Sequence, residues 1–182
     1  MTVKREIKKS WRPATTLVHA GQLRSQFKET SETIYMSSGY VYESAEEAEA
    51  AFDNSKPRFV YSRFGNPTVS MFESRMAALE GAEAARATSS GMAAVFAAIA
   101  SLVKSGDRIV ASDALFGSCH FILNDILPKW GVQTVFVDGR DIEQWKAALS
   151  KPTTAVFLES PSNPGLRLVD VKAVCDLAHK AS

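Results

Sequence analysis

Short apolar runs recur through the second half of the chain, separated by longer stretches in which apolar residues follow helical spacing. The runs lack the strict alternation of apolar and polar residues that is found in a strand with one solvent-exposed face. Such continuous runs are typical of strands covered on both faces. They predict strands at 84–88, 108–112, 132–137 and 154–158.

Helical spacing fills the gaps between these strands. The predicted helices are 91–103, 121–130, 142–149 and 171–181. Strands that alternate with helices imply crossover connections and a mostly parallel sheet. The predicted fold class is therefore α/β, and the sheet pattern breaks off after the last helix without a further strand.

Two helices are predicted in the first half from their capping residues. Ser44 followed by Glu47 forms a capping box at the start of the first. The second begins after Asn66 with Pro67 in the first turn, where a missing N–H costs nothing, and ends at Gly81.

The remainder of the first half shows no sustained period. Residues up to about Trp11 are polar and basic and predict a flexible end, and 15–42 predicts an extended arm. We therefore divide the chain into an amino-terminal arm with its first helix, 1–65, and the first part of a larger α/β domain, 66–182.

Composition limits the kind of partner. The 182 residues carry a net charge of +1, which gives no argument for nucleic acid or an anionic membrane as partner. No apolar run approaches the length of a membrane span. The two cysteines, Cys119 and Cys175, lack metal-ligand spacing, so we expect no metal site and a reducing, cytoplasmic location. Cys175 falls on the apolar side of the last predicted helix and is expected to pack into the protein core.

The turn Ser89–Met92 follows a predicted strand and opens a helix. The first amides of a helix have no partner within the helix and attract anions. Gly91 lets an anion approach the backbone, and Ser90 can add a hydroxyl. Such a turn occurs at many strand–helix junctions, so a purely structural role stays open. The chain has no glycine-rich nucleotide motif.

Tyr61 and Arg63 precede the second helix of the first half. A guanidinium offers two parallel donors to a phosphate and a phenol adds one more. A surface arginine beside a packed tyrosine is the alternative. Glu159 ends a predicted strand, where α/β proteins place ligand contacts, although a salt bridge or a cap is equally compatible.

Five segments occur in the order found in one enzyme family. They are Thr16–Gly21, Tyr61–Thr68, Leu79–Glu83, Ser90–Met92 and Glu159–Pro164. Together they resemble the motifs of the cystathionine γ-synthase family of Cys/Met metabolism, whose members use pyridoxal 5′-phosphate (PLP). The resemblance implies a fold-type I PLP-dependent transferase, of which this chain holds the arm and a truncated part of the large domain.

The resemblance also implies roles for the phosphate-binding residues. Gly91 and Met92 amides, with Ser90 in the same turn, would bind the phosphate of their own subunit's PLP. Tyr61 and Arg63 would hold the phosphate in a neighbouring subunit. The implied assembly is a homo-oligomer with shared active sites, a tetramer built from two dimers.

Two further residues match family positions that contact the cofactor ring. Phe116 falls where the family usually has a tyrosine stacked on the ring, and Asn163 would approach the 3′-oxygen. The phenyl ring keeps the stacking face and lacks the hydroxyl. The segment around Phe116 resembles the O-succinylhomoserine sulfhydrylase branch, which forms homocysteine from O-succinylhomoserine and sulfide in methionine biosynthesis.

No lysine matches the family's Schiff-base position, which is expected beyond Ser182, so no catalytic residue is assigned here. Cystathionine γ-synthase and γ-lyase remain alternatives within the family. Outside it, a non-catalytic short form that binds family subunits and a generic nucleotide-binding domain remain open.

Overall fold

The structure, a computed structural model, describes residues 3–4 and 10–181. It contains two compact units, Met1–Ala87 and Thr88–Ser182. The predicted flexible end falls largely on positions outside the described residues. The predicted division at residues 65 and 66 concerns the domains of the family and stays a prediction.

Within residues 3–4 and 10–87, the first unit contains a two-stranded antiparallel ribbon and three helices. Strand β1, Val3–Lys4, pairs with β2, Leu23–Arg24. The helices are α1, Pro13–His19; α2, Ala45–Phe52; and α3, Pro67–Glu80.

Helix α1 corrects the prediction of an extended arm over 15–42. It packs against α3, and Gly21, just past its end, lies so close to α3 that a Cβ there would be 2.8 Å from the carbonyl oxygen of Met71. Arg12 at its N-cap makes no side-chain capping bond. The helix depends on tertiary packing, which local patterning does not report.

The predicted caps of α2 and α3 are confirmed. Ser44 Oγ accepts the backbone N–H of Glu47 at 3.2 Å, and the Glu47 carboxylate accepts the N–H of Glu43 at 2.6 Å. Asn66 caps α3 through the N–H of Thr68, at 2.9 Å. Gly81 ends α3 with φ of 64°, a conformation that glycine adopts without steric cost.

The second unit is built on a three-stranded sheet, as the apolar runs predict. Its strands are β3, Arg108–Ser112; β4, Gln133–Val137; and β5, Ala155–Phe157. They lie in the order β4-β3-β5, and β3 pairs in parallel with both neighbours. The α/β class is therefore confirmed.

Helices cover both faces of this sheet. Ile109 and Ala111 of β3 point into one core with α4 (Gly91–Ala100) and α5 (Gly117–Phe121). Val110, between them, joins the opposite core with α6 (Ile142–Leu149) and α7 (Val171–Lys180). This alternation follows from the period of two along a strand.

The helix predicted over 121–130 has a different form. Helix α5 begins earlier and is followed by a π-helical turn, Ile122–Ile126, and a 3-10 turn, Leu127–Trp130. Pro128 accounts for the break, because its ring would clash with the carbonyl four residues earlier in a regular α-helix. Gly131 then ends the segment with φ of 77°.

Two smaller predictions are wrong. Residues 84–88 form no strand, and the N–H of Ala87 donates to the Glu73 carboxylate at 2.9 Å instead of to a neighbouring strand. Cys175 is exposed rather than in the core and lines a cavity beside β5. Within 3–4 and 10–181, no helix combines the length and apolar character needed to cross a membrane.

Candidate functional site

Ser90 organises the start of α4. Its hydroxyl accepts the N–H of Ala93 at 3.2 Å, and its carbonyl accepts the N–H of Ala94 at 3.1 Å. Thr88 Oγ1 donates to the same carbonyl at 2.8 Å. The N–H groups of Gly91 and Met92 have no acceptor inside the helix because of their position at its start. They are the donors that this helix end offers to an anion.

The space in front of Gly91 fits an approaching anion. A Cβ at this position would meet no atom within 4 Å, and Gly91 itself is exposed. Packing in the second unit therefore does not require a glycine here. The residue keeps the end of α4 open, and the donor set of two amides and the Ser90 hydroxyl suits a phosphate.

Tyr61 and Arg63 lie in an anchored turn of the first unit. The Tyr61 carbonyl accepts the N–H groups of Phe64 and Gly65 at 2.9 and 3.1 Å. Between the two side chains, Ser62 N–H donates to the Ser38 carbonyl at 2.8 Å. The backbone is thus fixed, while both site side chains are exposed.

The Arg63 guanidinium lies over aromatic rings, with its carbon 5.5 Å from the Tyr61 ring centroid and 4.9 Å from that of Phe64. Within the described residues it makes no ion pair. Its exposed donors are therefore available to an anion, and the rings limit its motion. Tyr61 and Arg63 belong to one compact unit, and Ser90, Gly91 and Met92 belong to the other.

Phe116 and Asn163 lie beyond the carboxyl ends of β3 and β5. The Glu159 carboxylate connects them: Oε2 accepts the Phe116 N–H at 2.7 Å and Oε1 accepts the Asn163 N–H at 2.9 Å. Phe116 is 41% exposed. Ligands bind at this edge of parallel sheets. Phe116 and Asn163, the two residues predicted to contact the cofactor ring, therefore lie at the same edge of the sheet.

The loop that carries Asn163 is built around buried Ser162. Its N–H donates to the Arg167 carbonyl at 3.0 Å, and its hydroxyl accepts the Arg167 N–H at 3.0 Å. Two cis peptide bonds, Ser160–Pro161 and Asn163–Pro164, occur in this loop. A cavity of about 260 Å³ lies between it and the end of β3.

Two ion pairs lie at this edge. Asp113 and Arg167 form an ion pair at 3.3 Å, and Asp138 pairs with Arg140 at 2.8 Å. Hydrogen bonds from Arg140 hold the pKa of the Asp138 carboxyl far below its usual range. Asp138 is therefore ionised at neutral pH and is not a proton donor.

Cys119 and His120, just after Phe116, have packing roles. Burial, and to a lesser extent the negative charge of Glu159, raises the pKa of the Cys119 thiol. A thiol that stays protonated is a poor nucleophile. The His120 ring stacks on Phe136 at a centroid distance of 4.5 Å and an angle of 16°.

Comparison with known proteins identifies the family. The sequence profile of the Cys/Met metabolism PLP-dependent enzymes matches residues 14–182. The chain belongs to this family, and its resemblance to PLP-dependent enzymes is confirmed.

Relatives within the family include O-succinylhomoserine sulfhydrylases. The enzyme of Mycobacterium tuberculosis (strain H37Rv) is 58% identical over 168 residues, which are 92% of this chain and 41% of the relative. That of Pseudomonas aeruginosa is 43% identical over 91% of this chain and 41% of the relative. Other relatives are L-methionine γ-lyases. The chain thus spans about two fifths of the length of these relatives, 41% in both sulfhydrylases.

A solved structure supports the fold and the cofactor of the family. A putative O-acetylhomoserine (thiol)-lyase from Campylobacter jejuni superimposes with a TM-score of 0.86 at 28% identity. The match covers 94% of this chain and 42% of that protein, which carries N′-pyridoxyl-lysine-5′-monophosphate. The predicted fold type and PLP dependence of the family are confirmed.

Proposed function

We propose that this chain is part of a PLP-dependent enzyme that forms homocysteine from O-succinylhomoserine and sulfide. The 58% identity to an O-succinylhomoserine sulfhydrylase over 92% of the chain carries the proposal. The open end of α4 and the exposed face of Phe116 support it. Methionine biosynthesis in the cytoplasm, by a homotetramer, belongs to the same proposal.

The residues described above fit PLP by their chemistry. Gly91 and Met92 amides, with the Ser90 hydroxyl, would bind its phosphate. Phe116 would cover one face of its ring, and Asn163 would donate a hydrogen bond to its 3′-oxygen. When bound, PLP supplies an electron sink for a carbanion at the substrate amino acid.

Tyr61 and Arg63 of one subunit would complete the phosphate site of a neighbouring subunit. Their exposure in the first unit and the anchored turn beneath them support a role in trans. A dimer is then the smallest active assembly. A guanidinium with no carboxylate partner in the described part of the chain is suited to this task.

Phe116 restricts the chemistry that the chain itself performs. A phenyl ring orients a planar ligand and excludes water from one face, but it has no proton to give. Proton movement must therefore use other groups. Lys146 and Lys172 are unsuited, because they pair with Glu143 and Asp176 at 2.6 Å on exposed helix faces. We place the Schiff-base lysine in the part of the relatives' length that this chain does not span.

The direct test uses the full-length enzyme that contains this chain, loaded with PLP. With sulfide as acceptor, O-succinylhomoserine should give homocysteine faster than O-acetylhomoserine does. Preferential formation of cystathionine from cysteine would favour a cystathionine γ-synthase, and release of methanethiol from methionine would favour a γ-lyase. Either result, with little homocysteine, would overturn the proposal.

A second experiment addresses the non-catalytic alternative. The 182-residue chain, carrying an affinity tag, is mixed with the untagged full-length enzyme. Specific recovery of full-length subunits, with unchanged PLP content, would favour a short form that binds its relatives. Absence of recovery would remove that alternative.

A further inference from the structure

Glu159 is a single carboxylate that joins two otherwise separate segments. It accepts the N–H of Phe116, 43 residues earlier, at 2.7 Å and the N–H of Asn163, four residues later, at 2.9 Å. Each oxygen serves one of the two amides. Neither bond belongs to a helix or to the sheet ladder, so both define how the loops beyond the sheet are arranged.

Pairing of β5 with β3 fixes the backbone position of Glu159. Ala155–Phe157 pairs in parallel with β3, and Glu159 follows two residues after the strand ends. The side chain is half-buried and has no ion-pair partner within the described part of the chain. Its charge is therefore balanced by the two backbone N–H groups, an arrangement that makes both hydrogen bonds stronger than neutral ones.

The Glu159 carboxylate also lies near Cys119 of α5. After burial, the Glu159 charge is the next contribution to the raised pKa of the Cys119 thiol. Burial of Cys119 and its position in α5 bring this thiol close to the same hydrogen-bonded junction. The carboxylate thus lies where it contacts the loop and is close to the helix.

We propose that Glu159 is a positioning residue that sets the distance between the Phe116 ring and the Asn163 side chain, and so between the stacking face and the polar edge offered to PLP. This inference rests on the proposed function only in naming PLP as the planar ligand. Glu159 would act through the backbone of Phe116 and Asn163, whose N–H groups it accepts, and not by contact with the ligand or the reacting atoms.

The chemistry requires a carboxylate of this length. A glutamine has the same shape, but its amide offers one oxygen and one NH₂ group. The NH₂ group would face a backbone N–H, which leaves one donor without an acceptor. An aspartate keeps two acceptor oxygens and is one methylene shorter, so it reaches both amides only after the loops move together.

The test compares Glu159→Gln and Glu159→Asp with wild type in the full-length enzyme. Glu143→Gln serves as the matched control, since Glu143 is exposed and pairs with Lys146 on α6. For each protein we measure the dissociation constant of PLP, the visible circular dichroism of bound PLP, and the melting temperature without PLP. Circular dichroism reports the orientation of the cofactor ring, which a merely structural role would not change.

We expect Glu159→Gln to weaken PLP binding by about ten- to one-hundredfold, the range for loss of one hydrogen bond to a charged group. Its circular dichroism band should lose intensity. Glu159→Asp should lie between wild type and Glu159→Gln, while Glu143→Gln should match wild type. In a Phe116→Leu background, the Glu159→Gln effect should shrink, because its target ring is gone.

The proposal is overturned if Glu159→Gln binds PLP as tightly as wild type with an unchanged circular dichroism band. A lower melting temperature alone, with wild-type cofactor properties, would also overturn it. If Glu159→Gln does not fold, Glu159→Asp decides by the same two readouts. A wild-type enzyme that binds PLP without forming homocysteine would refute the proposed function and leave this comparison valid.

Discussion

The side-chain amide nitrogen of Asn66 lies 2.9 Å from the carbonyl oxygen of Tyr35, 31 residues away in the chain. The same nitrogen donates to Ser62 Oγ at 3.0 Å, and the amide oxygen caps α3. Asn66 is buried and its partners are half-buried, so these bonds are partly shielded from water. One side chain therefore fixes the turn that carries Tyr61 and Arg63.

Replacing Asn66 by alanine should lower the free energy of unfolding by about 1–3 kcal/mol. The change removes an N-cap and leaves buried polar groups without partners. Urea denaturation measures the effect. Asn66→Asp keeps the capping oxygen but loses the two donor bonds, and it should be less damaging to α3 than to the turn. Equal stability of Asn66→Ala and wild type would refute this reading.

Arg63→Ala should weaken PLP retention in the full-length enzyme by more than tenfold, because one charged hydrogen bond to phosphate is lost. Equilibrium dialysis against PLP measures it. Arg58→Ala is the control, since Arg58 pairs with Glu47 within the first unit. Unchanged PLP affinity in Arg63→Ala would show that this guanidinium does not hold the phosphate.

Gly139→Ala should destabilise the second unit by about 1–3 kcal/mol through overpacking. A Cβ at this position would be 2.5 Å from Ser112 Oγ and 2.9 Å from Val169 Cγ2. Gly39→Ala is the control, since a Cβ there meets nothing within 4 Å. Denaturation midpoints of the two variants should differ clearly, and a similar small change in both would contradict the prediction.

The lowered pKa of Glu29 predicts that the stability of the fold depends on pH in the acidic range. Hydrogen bonds from the backbone and side chain of Ser25 lower the pKa of Glu29 from 4.5 to about 2. Because the folded pKa lies below the unfolded one, this stabilisation is complete above about pH 4.5 and is lost as pH falls toward 2. Melting temperatures of wild type should drop more over this window than those of Glu29→Gln. Parallel curves would exclude a contribution from Glu29.

The two cysteines should differ in reactivity. Cys119 is buried and its pKa is raised, so little thiolate forms near neutral pH, whereas Cys175 is exposed. Iodoacetamide treatment of the 182-residue chain, followed by peptide mass spectrometry, should show Cys175 alkylated first. Denaturant should make the two rates similar. Faster labelling of Cys119 in the native chain would contradict its burial.

Local chemistry was sufficient to predict the parts of the fold that depend on neighbouring residues. Asn66, Pro67 and Gly81 mark the ends of α3 through capping and backbone preference. The continuous apolar character of β3 predicted burial on both faces, and the structure places helices there. Both signals are contained within a few residues of sequence.

Elements that depend on distant partners were not predictable in the same way. Helix α1 packs against α3. In the segment 84–88, the N–H of Ala87 donates to the Glu73 carboxylate and not to a neighbouring strand. At the candidate site, the sequence suggested Glu159 only as a ligand contact, a salt bridge or a cap. Its two amide partners became evident only when the ends of β3 and β5 were placed side by side.

The central position of β3 has a consequence for synthesis of the protein. Since β3 precedes both β4 and β5 in the chain but lies between them in the sheet, it is synthesised before either neighbour. At about 5–20 residues per second, the 25 residues from the end of β3 to the end of β4 take about one to five seconds to synthesise, and both edges of β3 are unpaired during that time. The edges of β3 are therefore open to pairing with other segments until β4 and then β5 have been made.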